Sequence, residues 1–267
     1  QSVSSTGVVG LTASLSAGTL ANAAGSLTYT ITGTPTTSGT ASFAITVGGQ
    51  SCSFTLSVGV AQPQYPAGTV HCTAGATAVV DVTNPTTGRI WMDRNLGATQ
   101  VATSSTDVNS YGDLYQWGRR ADGHQCRTSP TTATLSSVDQ PAHGNFILAP
   151  NAPYDWRSPQ NANLWQGVNG VNNPCPSGYR IPTEAEFIAE RLSWVSLTAA
   201  GAFSSPLKLP LPGYRYSTNG TLYSVGSEGF YWTSTSNTTQ SKYIRLSDAL
   251  SFNSQRAFGR SVRCIKN

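Results

Sequence analysis

Three consecutive runs of alternating polar and apolar residues constrain this chain most strongly. They lie within "GSLTYTITGTPTTSGTASFAITVGGQSCSFTLSV", residues 25–58, where Gly-Thr-Pro and Gly-Gly separate one run from the next. A period of two puts every second side chain on one face of a strand, and short Gly-rich breaks suit hairpins. The segment therefore predicts a small antiparallel sandwich. The residues that mark its three strands are Leu27, Tyr29 and Ile31, then Phe43, Ile45 and Val47, then Cys52, Phe54, Leu56 and Val58.

The composition extends this expectation to the rest of the chain. The 267 residues include 26 Gly and 15 Pro with frequent Ser and Thr, which favours short strands and turns over helices. Six Trp, eleven Tyr and eight Phe can fill a core, so the composition does not indicate disorder. The net charge is only +4, and no run of Lys or Arg suggests a nucleic-acid partner. No apolar run is long enough to span a membrane.

A change in composition divides the chain into two domains. The segment "VAQPQYPAGTVHC" carries two prolines and a glycine, as semi-rigid linkers do. We therefore predict an immunoglobulin-like β-sandwich at 1–60, a linker at 61–68 and a second domain at 69–267. In composition, the first domain resembles the Thr- and Gly-rich repeats of large Bacteroidetes surface adhesins.

Five widely spaced cysteines predict disulfides. No C-x-x-C pair is present, so a structural zinc site is not expected, and the spacing in a charge-poor chain indicates an oxidising compartment. Cys52 and Cys72 flank the linker, which makes them one candidate pair, although spacing alone does not determine connectivity. The odd number leaves at least one thiol unpaired or paired with another chain. The state of Cys126 stays open.

The second domain mixes strand and helix signals. The segment "GRIWMDRNLGA" predicts a strand with Ile90 and Met92 on one face. The segment "NSYGDLYQWGRR" predicts a short helix with Leu114 and Trp117 on one face. Little periodicity follows in 121–173, and long loops of this kind tend to be functional. Short strands are predicted from "KLPLPGYRY" to the end of the chain.

The clearest local signal is a helix start in "NPCPSGYRIPTEAEF", residues 173–187. Thr183 and Glu186 stand three apart, as the two residues of a capping box do. The expected apolar stripe of the helix consists of Phe187, Ile188, Leu192 and Val195.

Several motifs occur in the order known from one family. The segments "WMDRNLGA", "YGDLYQWGR", "GHQCRTS", "NPCPSGYRIPTEAEF", "FYWTSTS" and "SVRCIK" resemble the FISUMP domain, the major paralogous domain of surface proteins in Bacteroidetes and Fibrobacteres. "GYRIPTEAEF" also resembles the "YRLPTEAEW" segment of formylglycine-generating-enzyme-like proteins. The resemblance implies a β-rich α+β chain whose second domain is C-type-lectin-like, with two helices, a twisted antiparallel sheet and terminal strands close together.

The resemblance also implies a disulfide. In such a fold the loop before the second helix lies against the last strand, which would make Cys175 and Cys264 neighbours. A bridge closing a loop this long could stabilise the domain by roughly 4 kcal/mol. The alternative is that both are buried thiols.

Catalytic and metal-binding patterns are weak. Formylglycine-generating enzymes use a late cysteine pair that this chain lacks, so no catalytic residue is predicted. Glu184 and Glu186 point in different directions on a helix, which does not suit a paired-carboxylate hydrolase. His71, His124 and His143 show no tight metal-ligand spacing. No cofactor is predicted, calcium-mediated sugar binding lacks its usual motifs, and a structural calcium in the long loop stays open.

The C-terminal sheet of C-type-lectin-like proteins presents ligand-contacting side chains, and here that segment is polar and aromatic. Along "KYIRLS", Tyr243 and Arg245 should face outward while Ile244 and Leu246 face inward. Tyr and Arg are effective contact residues. The alternative is a solvated sheet face without a ligand. The predicted ligand-binding residues are Asn237, Thr238, Gln240, Tyr243, Arg245, Asn253, Gln255 and Arg256.

These features predict an extracellular, cell-surface adhesin tip whose partners are a glycan or a surface protein. The resemblance further implies preceding repeats of a larger adhesin and export by the type IX secretion machinery. A structural cap or assembly module of a surface filament is the alternative, and a carbohydrate- or protein-modifying enzyme is a third hypothesis.

Overall fold

Antiparallel strands dominate the structure, and helices are few. The computed structural model describes residues 1–18, 25–59, 63–73 and 75–267. The chain folds as two compact units, Gln1–Gln62 and Pro63–Asn267. The β-rich α+β class predicted from the sequence is therefore present.

The described residues of the first unit form two three-stranded antiparallel sheets, ordered β1-β3-β4 and β2-β5-β6. The predicted Gly-Gly hairpin joins β5 to β6, and Gly48 and Gly49 adopt φ values of 59° and 79°, as two-residue hairpin turns require. Phe43 is fully buried and stacks on Phe54 at 4.9 Å between ring centroids. The strands are β1 Ser2–Ser4, β2 Thr6–Gly7, β3 Leu11–Ser14, β4 Thr30–Gly33, β5 Gly39–Val47 and β6 Gln50–Val58.

The second unit contains thirteen strands in its described residues, grouped into four sheets. The strands are β7 Asp81–Thr83, β8 Ile90–Met92, β9 Tyr115–Gln116, β10 Thr131–Thr132, β11 Phe146–Ile147, β12 Tyr179–Arg180, β13 Tyr214–Arg215, β14 Leu222–Tyr223, β15 Phe230–Ser236, β16 Ser241–Arg245, β17 Ser251–Ser254, β18 Gly259–Arg260 and β19 Ile265–Lys266. The helices are α1 Glu184–Leu192 and α2 Ala199–Ser204, with a 3₁₀ turn at Val108–Ser110.

Three antiparallel sheets carry most of this unit, ordered β12-β19-β8-β7, β14-β13-β18-β9 and β15-β16-β17. The fourth sheet is the short parallel pair β10-β11. Strand β8 lies between two cores, because Trp91 packs beside Phe187 on α1 and Met92 packs in the cluster with Trp117. Both faces of the predicted strand are thus buried.

The sequence prediction of a helix around Leu114 and Trp117 was wrong. Tyr115–Gln116 form strand β9, and the backbone N–H groups of Leu114 and Trp117 donate to distant carbonyls of Gln125 and Arg256, both at 2.9 Å. Gly112 has a φ of 67°, which is outside the helical region. Pairing with residues far along the chain therefore overrides the local periodicity.

The helix predicted from the capping box is present as α1. Thr183 Oγ1 accepts from the N–H of Glu186 at 3.2 Å, and the Glu186 carboxylate accepts from the N–H of Thr183 at 2.9 Å. The predicted apolar stripe is shorter than expected. Phe187 is fully buried, but Leu192 is 63% exposed because the helix ends there, and Val195 lies beyond it at 88% exposed.

Two disulfides lie within the second unit. Cys175 and Cys264 are bonded, as the resemblance implied, and Cys72 is bonded to Cys126. The candidate pair Cys52–Cys72 was therefore wrong. Cys52 is an exposed free thiol on β6, whereas Cys72 finds its partner within its own unit.

Part of the predicted linker belongs to the second unit. The N–H of Gln64 donates to Ser177 Oγ at 3.0 Å, and the N–H of Ser177 donates back to the Gln64 carbonyl at 2.8 Å. The Arg120 guanidinium donates to the carbonyl of Ala67 at 2.7 Å. Residues 63–68 are thus held by the unit that follows them.

Candidate functional site

The β15-β16-β17 sheet has two faces of different character. Strand register places Tyr231 opposite Ile244, and both are fully buried in the core that includes α1. The alternate residues Trp232, Tyr243 and Phe252 lie opposite one another across the three strands and share the other face. One face of the sheet is therefore ordinary core, and the other presents aromatic rings.

The aromatic face continues onto the neighbouring β13-β14 hairpin. The ring of Tyr214 lies 5.1 Å from that of Phe230 and 5.8 Å from that of Phe258, measured between centroids. Tyr216 contacts Phe258 at 5.2 Å and Tyr223 at 5.6 Å. We call this set the aromatic platform. It consists of Tyr214, Tyr216, Tyr223, Phe230, Tyr243, Phe252 and Phe258.

Arg260 lies beneath the platform. Its guanidinium carbon is 3.7 Å from the ring centroid of Tyr243 and 5.1 Å from those of Phe230 and Phe258. The side chain is nearly fully buried, and its Nη2 donates to Ser254 Oγ at 2.7 Å. Burial lowers the pKa of Arg260 to about 10, so the group remains a cation at neutral pH. Cation–π contacts with several rings stabilise this arrangement.

The platform is only partly covered. Tyr223 is 42% exposed, and the other six aromatic residues are half-buried rather than core residues. At its edge Arg245 lies 4.5 Å above the ring of Phe252 and pairs with Asp248. Rigid aromatic faces with polar groups at the rim are typical of surfaces that bind other molecules.

Two predicted ligand-binding residues, Tyr243 and Arg245, belong to this surface. They alternate on β16 with the fully buried Ile244, as the sequence predicted, and Leu246 beyond the strand is fully buried as well. Asn253 pairs with Lys242 in the register of β16 and β17, so it lies on the opposite face from Tyr243. The predicted set therefore does not form one surface.

Arg256 is a correction to the predicted set, because it is buried and structural. Its guanidinium pairs with Asp155 at 3.3 Å, donates to the Asn237 carbonyl at 2.8 Å and lies 4.9 Å from the ring centroid of Trp117. A side chain that is only 1% exposed is not a surface contact. Its role is to tie the β15-β16 turn to the core.

The remaining predicted residues lie near strand ends. Asn237, Thr238 and Gln240 form the turn between β15 and β16, where Asn237 Oδ1 accepts from the N–H of Gln240 at 2.7 Å. Thr238 is exposed, and Gln240 is half-buried. Gln255 is half-buried directly after β17. All four therefore lie outside the set of rings that forms the platform.

The sequence interpretation missed most of the platform. The alternation of Tyr214 and Tyr216 in "GYRYSTNGTLY", followed by an Asn-Gly turn, is a hairpin signal that places tyrosines on one face. Phe252 could have been found as the partner of Tyr243 once the β16-β17 turn was assigned. The position of Arg260 under the rings depends on long-range pairing of β18 with β13 and β9.

The histidines do not converge. His124 is fully buried, with Nδ1 2.6 Å from Asp122 and Nε2 accepting from the N–H of Gln116 at 3.0 Å. Burial and the nearby Arg119 lower its pKa to about 4, so it is neutral at pH 7. His71 is exposed beside Tyr65, and His143 is exposed in the loop.

The two glutamates considered for hydrolysis both form hydrogen bonds and ion pairs within the protein. Glu186 caps α1 and pairs with Arg180 at 2.6 Å. Glu184 accepts from Ser251 Oγ at 2.6 Å and lies 3.4 Å from Lys242. Among the described residues, no group of three or more His, Cys, Asp or Glu side chains is arranged to hold a metal ion. No helix in the described ranges has the length and apolar composition needed to cross a membrane.

Comparison of the chain with protein-family models, with curated proteins and with solved structures found no match. The geometry of the aromatic platform is therefore the main guide to what the chain does, and the resemblance to the FISUMP domain stays a prediction.

Proposed function

We propose that residues 63–267 form a C-type-lectin-like, non-catalytic ligand-binding module, and that the aromatic platform is its contact surface. The observation that carries the proposal is a set of contacting rings, six half-buried and Tyr223 exposed, supported from below by the buried Arg260. Clustered aromatic surface rimmed by polar residues is a feature of protein interaction sites. The sequence resemblance to a family of surface proteins supports the same assignment.

The chemistry of the platform suits a glycan or a protein segment. Tyrosine hydroxyls around ring faces offer hydrogen bonds beside an apolar surface, which matches a sugar ring or an aromatic-rich peptide. Because Arg260 fixes the rings before a ligand arrives, little side-chain entropy is lost on binding. Arg245 at the rim adds a charged hydrogen-bond donor.

The surrounding chain fits an extracellular setting. The two disulfides of the second unit suit an oxidising environment. The first unit, with two three-stranded antiparallel sheets around one core, would be an immunoglobulin-like repeat of an adhesin. In this proposal the second unit is a tip presented at the cell surface by preceding repeats, after type IX secretion.

The test is a glycan-array and peptide-array screen of the full chain with calcium and again with chelator. We expect the double variant Tyr216→Ala/Tyr223→Ala to bind the selected ligand at least about tenfold more weakly, because two aromatic contacts are lost. Phe203→Ala removes a half-buried ring outside the platform and should bind like the parent chain. Equal binding by the Tyr216/Tyr223 variant would contradict the proposal. Loss of binding with chelator would show that calcium takes part.

A second candidate function, assembly with other copies, is favoured by strand β6. Among the described strands β6 pairs only with β5, and its nine residues include neither a charge nor a proline that would block pairing. Cys52 is an exposed thiol on the same strand. If this strand joins copies, the chain should form a dimer that Cys52→Ser weakens. A monomer at high concentration, without and with reductant, would exclude this function.

A further inference from the structure

A second site lies apart from the aromatic platform. A cavity of about 280 Å³ is bordered by the Cys72–Cys126 disulfide, by Gly97 and Gly112, and by the side chains of Asp113 and Arg127. Exposed residues, including Thr99, Asn109 and Thr128, form its mouth. No platform residue lines it.

Asp113 forms the buried part of this cavity. The residue is 5% exposed, and within the described parts of the chain no group donates a hydrogen bond to its carboxylate. Gly97 packs directly against the carboxyl group, and a Cβ at that position would overlap its atoms. A buried carboxylate without a partner is costly, so the arrangement is one that a ligand can complete.

Arg127 supplies the opposite charge without neutralising Asp113. Its Nε donates to the Gly112 carbonyl and its Nη2 to the Pro212 carbonyl, both at 2.8 Å. The guanidinium also lies 5.4 Å from the Tyr111 ring centroid. These contacts fix the group in place, and Nη1 has no hydrogen-bond partner in the described residues. Asp113 and Arg127 are not within ion-pair distance of each other.

We propose that this cavity binds a small zwitterion, a free α-amino acid, whose ammonium group pairs with Asp113 and whose carboxylate pairs with Nη1 of Arg127. A cation alone would be repelled by Arg127, and an anion alone by Asp113. A neutral polyol would form hydrogen bonds but leave the buried carboxylate unneutralised. A ligand carrying both charges satisfies both fixed groups at once.

The electrostatic surroundings of Asp113 agree with this assignment. Burial raises the pKa of Asp113 to about 7, with Arg127 opposing the shift. The phenols of Tyr65 and Tyr115 are the other titratable groups coupled to it, and both have raised pKa values and stay neutral at pH 7. Among the described residues, Arg127 is thus the charged group that acts on Asp113. An arriving ammonium group would favour the ionised carboxylate.

The test is a titration of the ¹⁵N-labelled full chain at pH 7.5 with L-serine, N-acetyl-L-serine, L-serine methyl ester and methyl β-D-glucoside. L-serine should shift the amide signals of Gly97, Gly112 and Thr128 in a saturable way. The acetylated and esterified forms each lack one charge and should bind at least about tenfold more weakly.

Two variants test whether Asp113 is the residue that binds the ammonium group of L-serine. Asp113→Asn preserves the shape of the side chain and should weaken L-serine binding at least about tenfold while the chain stays folded. Asp139→Asn is the matched control, because Asp139 pairs with Arg157 outside the cavity, and it should bind L-serine like the parent. The proposal is overturned if L-serine gives no saturable shift, if Asp113→Asn binds it equally, or if only methyl β-D-glucoside binds.

Discussion

At the scale of single residues, this charge-poor chain uses several of its charges inside the second unit. Arg260 and Arg263 are buried, and burial lowers the pKa of each to about 10. Arg263 donates to Asn95 and to two carbonyls, and Arg260 is surrounded by ring faces. Both side chains therefore stay protonated at pH 7, and both have hydrogen-bond or cation–π partners. Asp113 differs because its charge lacks such partners.

Asp113→Asn should stabilise the chain at pH 8 and leave it unchanged at pH 4. The pKa of Asp113 is raised from 3.8 in the unfolded chain to about 7 in the folded one. Between these two pH values the folded state keeps the proton on this carboxyl group and the unfolded state loses it. Its contribution is therefore complete below pH 3.8 and is lost as the pH rises toward 7, at a cost on the order of 4 kcal/mol. Urea unfolding at the two pH values measures the difference.

Asp139→Asn serves as the control for this pH dependence, since its partner Arg157 is also near the surface. It should not reproduce the stabilisation at pH 8 that is expected of Asp113→Asn, because its pair with Arg157 is only partly buried. If Asp113→Asn is only as stable as the parent chain at pH 8, the parent carboxylate must be stabilised in the folded state by a hydrogen-bond donor or a bound cation.

At the scale of elements, local sequence patterns predict the structure correctly where the interacting residues are close in sequence. Helix α1 begins where the capping box predicts, and the pair of Glu186 with Arg180 adds a charge contact at its first turn. Although burial opposes it, Arg180 and the Thr183 N–H lower the pKa of Glu186 to about 2. The helix start is thus fixed by side chains within seven residues of one another.

Thr183→Ala should destabilise the second unit by about 1 kcal/mol, the usual effect of losing an N-cap hydroxyl. Leu192→Ala, at the exposed end of the same helix, should change stability by less than about 0.5 kcal/mol. Chemical denaturation of both variants gives the comparison. A larger loss for Leu192→Ala would mean that the stripe predicted from the sequence packs after all.

The sequence did not predict the elements whose structure depends on contacts with residues far away in the chain. Residues 111–117 have a helical pattern, yet their backbone groups bond to Gln125 and Arg256, and Gly112 takes a positive φ. The platform likewise joins rings from two separate sheets, β14-β13-β18-β9 and β15-β16-β17, through contacts such as Tyr214 with Phe230. Alternation on β16 correctly predicted that Tyr243 and Arg245 face away from the buried Ile244. No local pattern distinguishes the buried Arg256 from an exposed arginine.

At the scale of the whole molecule, the two units differ in their disulfide bonds. Both disulfides lie in the second unit, closing separations of 54 and 89 residues, while the first unit carries only the free Cys52. Cys175–Cys264 joins the loop before α1 to the last strands, and Cys72–Cys126 borders the Asp113 cavity. The second unit therefore contains bonds whose formation needs an oxidising environment, and the first does not.

Cys175→Ser/Cys264→Ser should lower the stability of the second unit by about 4 kcal/mol, because the unfolded chain regains the freedom of a long loop. Both cysteines belong to the buried cluster that includes Trp117 and Trp232, so lost packing adds to the effect. Cys52→Ser is the control, since it alters an exposed thiol and should leave the unfolding of residues 63–267 unchanged. Near-ultraviolet circular dichroism during urea unfolding follows this unit through its buried tryptophans. If the double serine variant unfolds at the same urea concentration as the parent, the stability of the unit comes from its aromatic core alone, and the bridge is not required for the fold that positions the platform.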